Sequence, residues 1–274
     1  MVFDLRSQLV GVSRFATPAV SELRHSAAGG LVEAVNGCML KLVARGVTRF
    51  HASQGRLKRA VVRTGHAIYM AVPPPLRRHV AAGYITLTLL LKRVLRVEEQ
   101  TGLTPVADAG TLSFWGVPEV DIATFSLSVE GAVERPCSFG YAELIALPSV
   151  DRLVRMDCVG GFRNNTHMGG VRLDTLFDMV GLAPEARRAV FHCADDYFES
   201  ITLDDLRKHD AFLAYSVNSE AVPHLGFPLR LAIPGKYGYK WPKWVTRIEI
   251  VTDDCKGYWP ERGLPDRGNV GDRR

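Results

Sequence analysis

The sequence predicts an α+β fold, a domain of short strands and brief helices preceded by a basic helical region, and two observations predict it. The texture changes at Gly102: before it lie helical spacings crowded with Arg and Lys, and after it β-like segments separated by Gly, Pro and Asp. The charge divides at nearly the same place. Residues 1–98 hold fifteen Lys or Arg against four acids, Asp4, Glu22, Glu33 and Glu98, a local charge of +11 that leaves −6 for the rest of a chain whose net charge is +5. The chain is therefore read as a basic helical N-terminal region over 1–101, a mixed domain over 102–260 and a polar tail over 261–274.

Within the first region, Leu57, Val61, Val62, Ile68 and Tyr69 fall at roughly helical spacing with Arg and Lys between them. Pro73, Pro74 and Pro75 then break the helix, because consecutive prolines remove donors and fix extended geometry. A second helix is predicted from Arg77 to Glu99. Its stretch Ala81 to Leu91 is apolar on nearly all sides, so it is either buried against the core or pressed onto a membrane surface or partner. Beyond Gly102 the strand candidates are Phe125–Val129, Val150–Met156, Ala189–Cys193, Ala211–Val217, Leu229–Ile233 and Trp244–Val251. Leu173, Leu176, Phe177 and Val180 stand at i, i+3, i+4 and i+7, and Gly181 followed by Pro184 ends that helix. Thr202 is placed to cap a further helix, with Asp205 three residues on.

Composition narrows the class. With 47% hydrophobic residues in 274, the chain has material for a substantial core. The five cysteines, Cys38, Cys137, Cys158, Cys193 and Cys255, contain no CxxC pair and leave one over, so neither a disulfide framework nor a zinc knuckle is indicated and a reducing compartment fits. The N-terminus lacks a signal-peptide pattern, and no apolar run reaches the roughly 18 residues a spanning helix needs. The expectation is a cytoplasmic protein that residues 1–98 can hold at the periphery of an anionic membrane surface. Nucleic acid is not expected, because Phe3, Phe15, Phe50, Tyr69 and Tyr84 are too scattered to form a stacking platform.

Two clusters could carry chemistry. Cys158 closes the strand-like run Leu153–Asp157 and opens Val159-Gly160-Gly161-Phe162-Arg163-Asn164-Asn165. A thiol at a strand end, followed by glycines that allow close backbone approach and then by an arginine, is a place to hold a metal or an anion. Read alone, it is equally a structural cysteine before a turn. The second cluster runs from Pro223 to Val245, where glycines with Arg230, Lys240 and Lys243 could cradle a phosphate or could form a solvated basic hairpin.

The two clusters together, in this order and about seventy residues apart, carry a resemblance. The motifs PEVDIATFSLSVEGAVERP, AELIALP, MDCVGG, GGVRLDTLF, AVFHCADDYF, LAYSVN and LGFPLRLAIPGKYGYKWPKWVTRIEI resemble, over about residues 112–253, the oxidoreductase molybdopterin-binding domain of sulfite oxidases, plant nitrate reductases and the periplasmic methionine sulfoxide reductase. The resemblance implies a mixed-sheet domain of sulfite-oxidase type with a molybdenum-molybdopterin cofactor. It implies that Cys158 ligates the metal as a thiolate, a soft donor that must be deprotonated to bind. Arg230 matches the arginine that holds the pterin phosphate. Trp241, Pro242 and Lys243 match the tripeptide that completes the phosphate and pterin contacts. Cys193 falls where a small polar residue touches the cofactor in some members, and Arg163 where sulfite oxidases face an anionic substrate.

Departures accompany the matches. Leu225 stands where the family has His or Asn, with His224 one residue earlier, and a one-residue shift on a strand would turn His224 to the other face. The upstream polar loop reads Leu112-Ser113-Phe114-Trp115, and Met168 replaces a tryptophan, which predicts an apolar pocket near the metal. About twenty residues follow Thr252, too few for the immunoglobulin-like domain through which sulfite oxidases dimerise, so no such dimer is expected. No haem or flavin domain is expected either, which calls for a separate electron-transfer protein. His192 and Cys193 point to opposite strand faces. Asp195-Asp196 and Asp204-Asp205 read as turn and cap acids, and His66 and His79 as solvated. Tyr258, Trp259 and Pro260 either pack over the site mouth or cap the last strand.

The reading is a molybdenum-pterin oxidoreductase moving an oxygen atom to or from a small polar substrate of the sulfur- or nitrogen-oxide type. The alternative is a cofactor-binding or scaffold protein of the same fold without turnover.

Overall fold

A computed structural model describes residues 42–43, 45–47, 49–95, 97 and 101–272. The chain divides into Met1–Gly46 and Val47–Arg274, and the architecture below belongs to the second unit. Residues 1–41, with Cys38 and most of the acids of the basic region, lie outside the described residues, as does the predicted helix end at Glu99.

Residues 47 and 49–52 are helical, and two helices follow them, α1 (Arg56–Ala71) and α2 (Pro74–Val94). The proline run both ends α1 and starts α2. Pro73 is extended, whereas Pro74 and Pro75 occupy the first helical turn, where a missing N–H costs no hydrogen bond. The apolar stripe predicted for α1 is split: Leu57, Val61 and Ile68 are exposed, while Val62 and Tyr69 share the inward face with His66 and the buried Lys58. On α2 one face is buried through Ala81, Ile85 and Lys92, and the opposite face is open.

The α+β domain follows. Strands β1 (Ser126–Gly131), β2 (Cys137–Gly140), β5 (Arg188–Cys193), β6 (Phe198–Thr202) and β9 (Val245–Val251) form one sheet in the order β2-β1-β9-β5-β6. It is a mixed sheet, because β1 runs parallel to β9 and the other pairs are antiparallel. Strands β3 (Ser149–Asp157), β4 (Arg163–Arg172), β7 (Phe212–Val217) and β8 (Arg230–Ala232) form an antiparallel sheet in that order. Short helices α3 (Tyr141–Ala146), α4 (Leu173–Val180), α5 (Leu203–Lys208) and α6 (Tyr258–Glu261) fill the connections. Both sheets send side chains into one core: Leu127, Phe191 and Ile248 from the first, Met156, Val171 and Leu213 from the second.

All six strand candidates are strands, within a few residues at each end. Helix α4 buries Leu173, Leu176, Phe177 and Val180 and ends on Gly181 at φ 68°, and Thr202 caps α5 by accepting from Asp205 N at 3.1 Å. Strands β2, β4 and β6 were not expected.

The segment after α6 is fastened to the domain. Tyr239 donates to Pro265 O at 2.7 Å, Lys236 to Asn269 Oδ1 at 2.8 Å, and Arg188 reaches Asp266 at 3.1 Å. Lys240, read as part of a phosphate cradle, is instead buried against Glu199 at 2.7 Å, and Glu199 also accepts from Tyr197 OH and Ser200 N. Removing one member of such a pair strands a charge away from water. Lys240→Met should therefore cost about 3 to 5 kcal/mol in chemical denaturation. Lys240→Met combined with Glu199→Leu should recover much of that loss.

Candidate functional site

Strand β3 delivers the cysteine. Val154 and Met156 point into the core, Asp157 is buried, and the chain then turns sharply so that Cys158 N donates to Phe162 O at 3.0 Å and Gly161 N to Cys158 O at 3.1 Å. Gly161 sits at φ 95°, a conformation that favours glycine. Gly160 N donates to Cys158 Sγ at 3.3 Å. The thiol is 7% exposed, and burial pushes its pKa up, opposed by that N–H and by the charges of Lys92 and Lys243.

The hairpin register places Arg163 directly across from Asp157. The guanidinium grips both carboxylate oxygens, Nε to Oδ1 at 3.0 Å and a terminal nitrogen to Oδ2 at 3.1 Å, while Lys92 of α2 donates to Oδ1 at 3.0 Å. Arg163 thus stands beside the cysteine loop with a carboxylate in its fork.

The second cluster is built around a cross-strand pair. Arg230 at the start of β8 is bridged to Lys243, so two cationic side chains leave adjacent backbones. Gly226, at φ 115°, lets the preceding turn pass close over them: a Cβ there would lie 2.8 Å from Arg230 Cβ and 3.1 Å from Lys243 Cβ. Arg230 is 5% exposed, donates to Leu225 O at 2.7 Å, and has no partner for Nε among the described residues. Burial alone pulls its pKa down to about 10. Lys243 donates to Thr111 Oγ1 at 2.9 Å and Leu112 O at 2.8 Å, with its ammonium 4.3 Å from the centre of the Trp244 ring. Burial and then the Arg230 charge lower its pKa to about 7, with the Asp195 charge opposing. Trp241 is buried with its ring 5.7 Å from the Arg230 guanidinium, and Pro242 O accepts from Leu231 N at 2.9 Å. Cys193 is buried within range of the Lys243 charge, its thiol pushed well up by burial.

Backbone contact joins the clusters. Asp157 is bridged to Tyr237, and a Cβ on Gly238 would fall 2.8 Å from Met156 Sδ and 3.6 Å from Cys158 Cα. Cys158, Cys193, Arg230, Trp241, Pro242 and Lys243 therefore lie around one region. Residues 223–225 form a 3-10 turn, not a strand, so alternation does not decide their facing. Leu225 packs in the core, whereas His224 feels the charges of Lys243 and Lys58.

Sequence reasoning missed four contributors. Thr111 and the Leu112 carbonyl supply polar contacts from the loop read as apolar. His51 and Lys58, from the basic region, lie against the cysteine loop: the His51 ring is 4.6 Å from that of Phe162. The signal available was a single lysine at helical spacing from Val62, His66 and Tyr69. His66 is not solvated as expected, because its Nε2 lies 2.9 Å from Tyr258 OH and its ring sits among Phe114, Trp115 and Trp259. Tyr258 is buried there, tying α6 to α1.

Residues 114–259 match the family described as the oxidoreductase molybdopterin binding domain. The chain belongs to that family. It is 36% identical over 148 residues to the putative protein-methionine-sulfoxide reductase subunit YedZ1 of Azospira oryzae, which covers 54% of this chain and 56% of that one. The uncharacterized oxidoreductase YuiH of Bacillus subtilis is 29% identical over 182 residues, covering 64% of this chain and 92% of that one. Among solved structures, the sulfane dehydrogenase SoxCD from Paracoccus pantotrophus superposes with a TM-score of 0.53 at 25% identity, covering 57% of this chain and 46% of that one. The fold is thus the mixed-sheet, sulfite-oxidase-type domain, with a helical region before it.

The cation pair gives a pH test. In protein free of cofactor, a lysine whose folded pKa is lowered binds fewer protons than the unfolded chain between about 7 and the ordinary lysine value, so stability rises with pH across that window. Denaturation midpoints from pH 7 to 9.5 should show this rise, and Lys243→Met should flatten it. Inorganic phosphate should also flatten it, by returning the ammonium to its ordinary range.

Proposed function

We propose that the chain is a molybdenum-pterin oxidoreductase that moves an oxygen atom to or from a small polar oxide of sulfur or nitrogen. The single observation that carries the reading is the Arg230–Lys243 pair beside the Cys158 loop, two desolvated cations with no ion-pair partner among the described residues. Buried cations without counter-charge are costly, and a phosphate group would offset that cost. Gly226, having no Cβ, lets the turn pack directly on the stems of both side chains.

The residues fit the cofactor that the family implies. Arg230 and Lys243 would hold the phosphate, Trp241 and Pro242 the pterin, and Cys158 the metal. Bound there, molybdenum-molybdopterin supplies two-electron redox chemistry and an open position for oxygen transfer. The chain's own task is to place one thiolate and tune its charge. Cys158 must lose its proton to ligate, and the Gly160 N–H and the charges of Lys92 and Lys243 favour the thiolate against the cost of burial. Asp157 and Arg163 hold each other and brace the two ends of the hairpin on which Cys158 sits.

The test is elemental and kinetic. Purified protein should contain molybdenum near one atom per chain, and Cys158→Ser should lose turnover while melting close to the parent, since an alcohol is a poorer donor of nearly equal size. Arg230→Ala should lower molybdenum content instead, having removed a charge-assisted contact of about 1.5 to 3 kcal/mol. Full activity in Cys158→Ser would remove the mechanism.

The partner surface proposed is the outer face of α2. Leu76, Val80, Tyr84, Leu87, Leu91 and Val94 lie at spacings of three and four and are 44 to 56% exposed. From Ala34 to Val97 the sequence has twelve Lys or Arg and no Asp or Glu. An apolar stripe in a wholly cationic segment suits an anionic membrane surface. No helix among the described residues is long and apolar enough to cross a membrane. The protein should sediment with vesicles of phosphatidylglycerol and phosphatidylcholine, less so as salt rises, and weakly with phosphatidylcholine alone. Leu87→Ser with Leu91→Ser should reduce the binding. Self-association in place of vesicle binding would assign the face to a second copy.

A further inference from the structure

We infer that Lys58 supplies the positive charge that receives a small oxyanionic substrate at the Cys158 site, so that the basic helical region forms a wall of that site. This rests on the function proposed above. Lys58 lies on the inward face of α1, 6% exposed, and its ammonium donates to His51 O. The same carbonyl accepts from Thr111 N at 3.2 Å, and Thr111 Oγ1 accepts from Lys243 Nζ at 2.9 Å. The two ammonium groups are thus linked through Thr111 and the His51 carbonyl. The segment carrying Lys58 also lies against the cysteine loop, since His51 Cε1 is 3.7 Å from where a Cβ on Gly160 would sit.

Charge accounting separates Lys58 from the other cations nearby. Arg163, the residue the resemblance assigned to the substrate, has its fork on Asp157, and Lys92 shares that carboxylate. Arg230 and Lys243 oppose each other across a bridge and account for the phosphate. Lys58 uses one of its three donors on a carbonyl and forms no ion pair with a carboxylate among the described residues. Its charge acts on Cys158, His224 and Lys243, and burial lowers its pKa to about 8. A desolvated ammonium among like charges is stabilised by an entering anion, and the packing of His51, whose carbonyl holds that ammonium, against Gly160 puts the anion on the thiol's side of the site.

The experiment uses the full chain with its cofactor and sodium sulfate as the probe. Loaded protein has its phosphate contacts filled, so calorimetric titration of sulfate reads the remaining anion position. Lys58→Gln should weaken sulfate about tenfold or more, and Lys58→Arg should retain most of the affinity, with molybdenum content unchanged in both. In turnover, Lys58→Gln should raise KM for an anionic substrate far more than it lowers kcat. Unchanged sulfate affinity in Lys58→Gln overturns the inference, as does loss of molybdenum from that variant alone, which would assign Lys58 to the cofactor phosphate. A second measurement needs no variant: sulfate should slow acetylation of Lys58 by acetic anhydride in the parent protein, followed by mass spectrometry. Absence of protection also overturns it. Parent protein that never acquires molybdenum would defeat the proposed function separately, because Lys58 protection is read without the metal.

Discussion

Positive charge held around a buried thiol is the constraint on which the site depends. Lys58 comes from a distant part of the chain to lie near Arg230 and Lys243, and none of the three has an ion-pair partner among the described residues, although the Asp195 charge acts on Lys243. Like charges brought together out of water oppose folding, so the surrounding structure must hold them there. It does so with neutral groups: the carbonyls of His51, Leu225 and Leu112, the Thr111 hydroxyl and the face of Trp244. Such groups orient the cations without neutralising them. On the proposed function, that charge is left for an anion.

The same arithmetic explains which cations are not available. Lys240 and Lys236 lie in the same glycine-rich segment as the cradle, yet each is bound to a carboxylate, Glu199 at 2.7 Å and Asp205 at 2.7 Å. These pairs fix the segment between β8 and β9, and with it the Tyr237 bridge to Asp157. Paired lysines therefore position the backbone that crosses beneath the cysteine, while unpaired ones face the site. Sequence spacing alone could not sort Lys240 from Lys243, because the partner of Lys240 lies 41 residues away.

What was legible followed from local patterns. Helix α4 showed its face and its Gly181 stop, the core strands showed β-branched runs, and Cys158 and Arg230 stood inside ordered motifs. Strand β4 was hidden because its first half, Arg163-Asn164-Asn165-Thr166, is polar and buried at once. Its asparagine side chains bond to the backbone of Gly110 and Gly102, more than fifty residues earlier, so the burial is tertiary and leaves no apolar period. Gly170 allows β7 to approach closely there: a Cβ would stand 2.2 Å from Leu213 O. On α1 the apolar residues misled, since the helix turns Lys58 and His66 inward and leaves Leu57, Val61 and Ile68 outside. Hydrophobic periodicity finds a helix but does not say which face its surroundings need.

Helix α2 joins the basic region to the domain that carries Cys158. Its buried face carries Lys92, whose ammonium sits 3.0 Å from the carboxylate of Asp157, and Asp157 is bonded directly to Cys158. Its opposite face presents the apolar stripe. A surface fit for docking and a charged contact one residue from the thiol are therefore borne by a single rigid element, separated only by the thickness of a helix, about 10 Å. Anything that shifts α2 must also move Lys92 against Asp157. Because Arg163 shares that carboxylate, and Lys92 charge favours the Cys158 thiolate, the shift would be felt as a change in the charge around the sulfur. The association proposed for the outer face would thus bear on the electrostatics of the inner one through a buried ion pair.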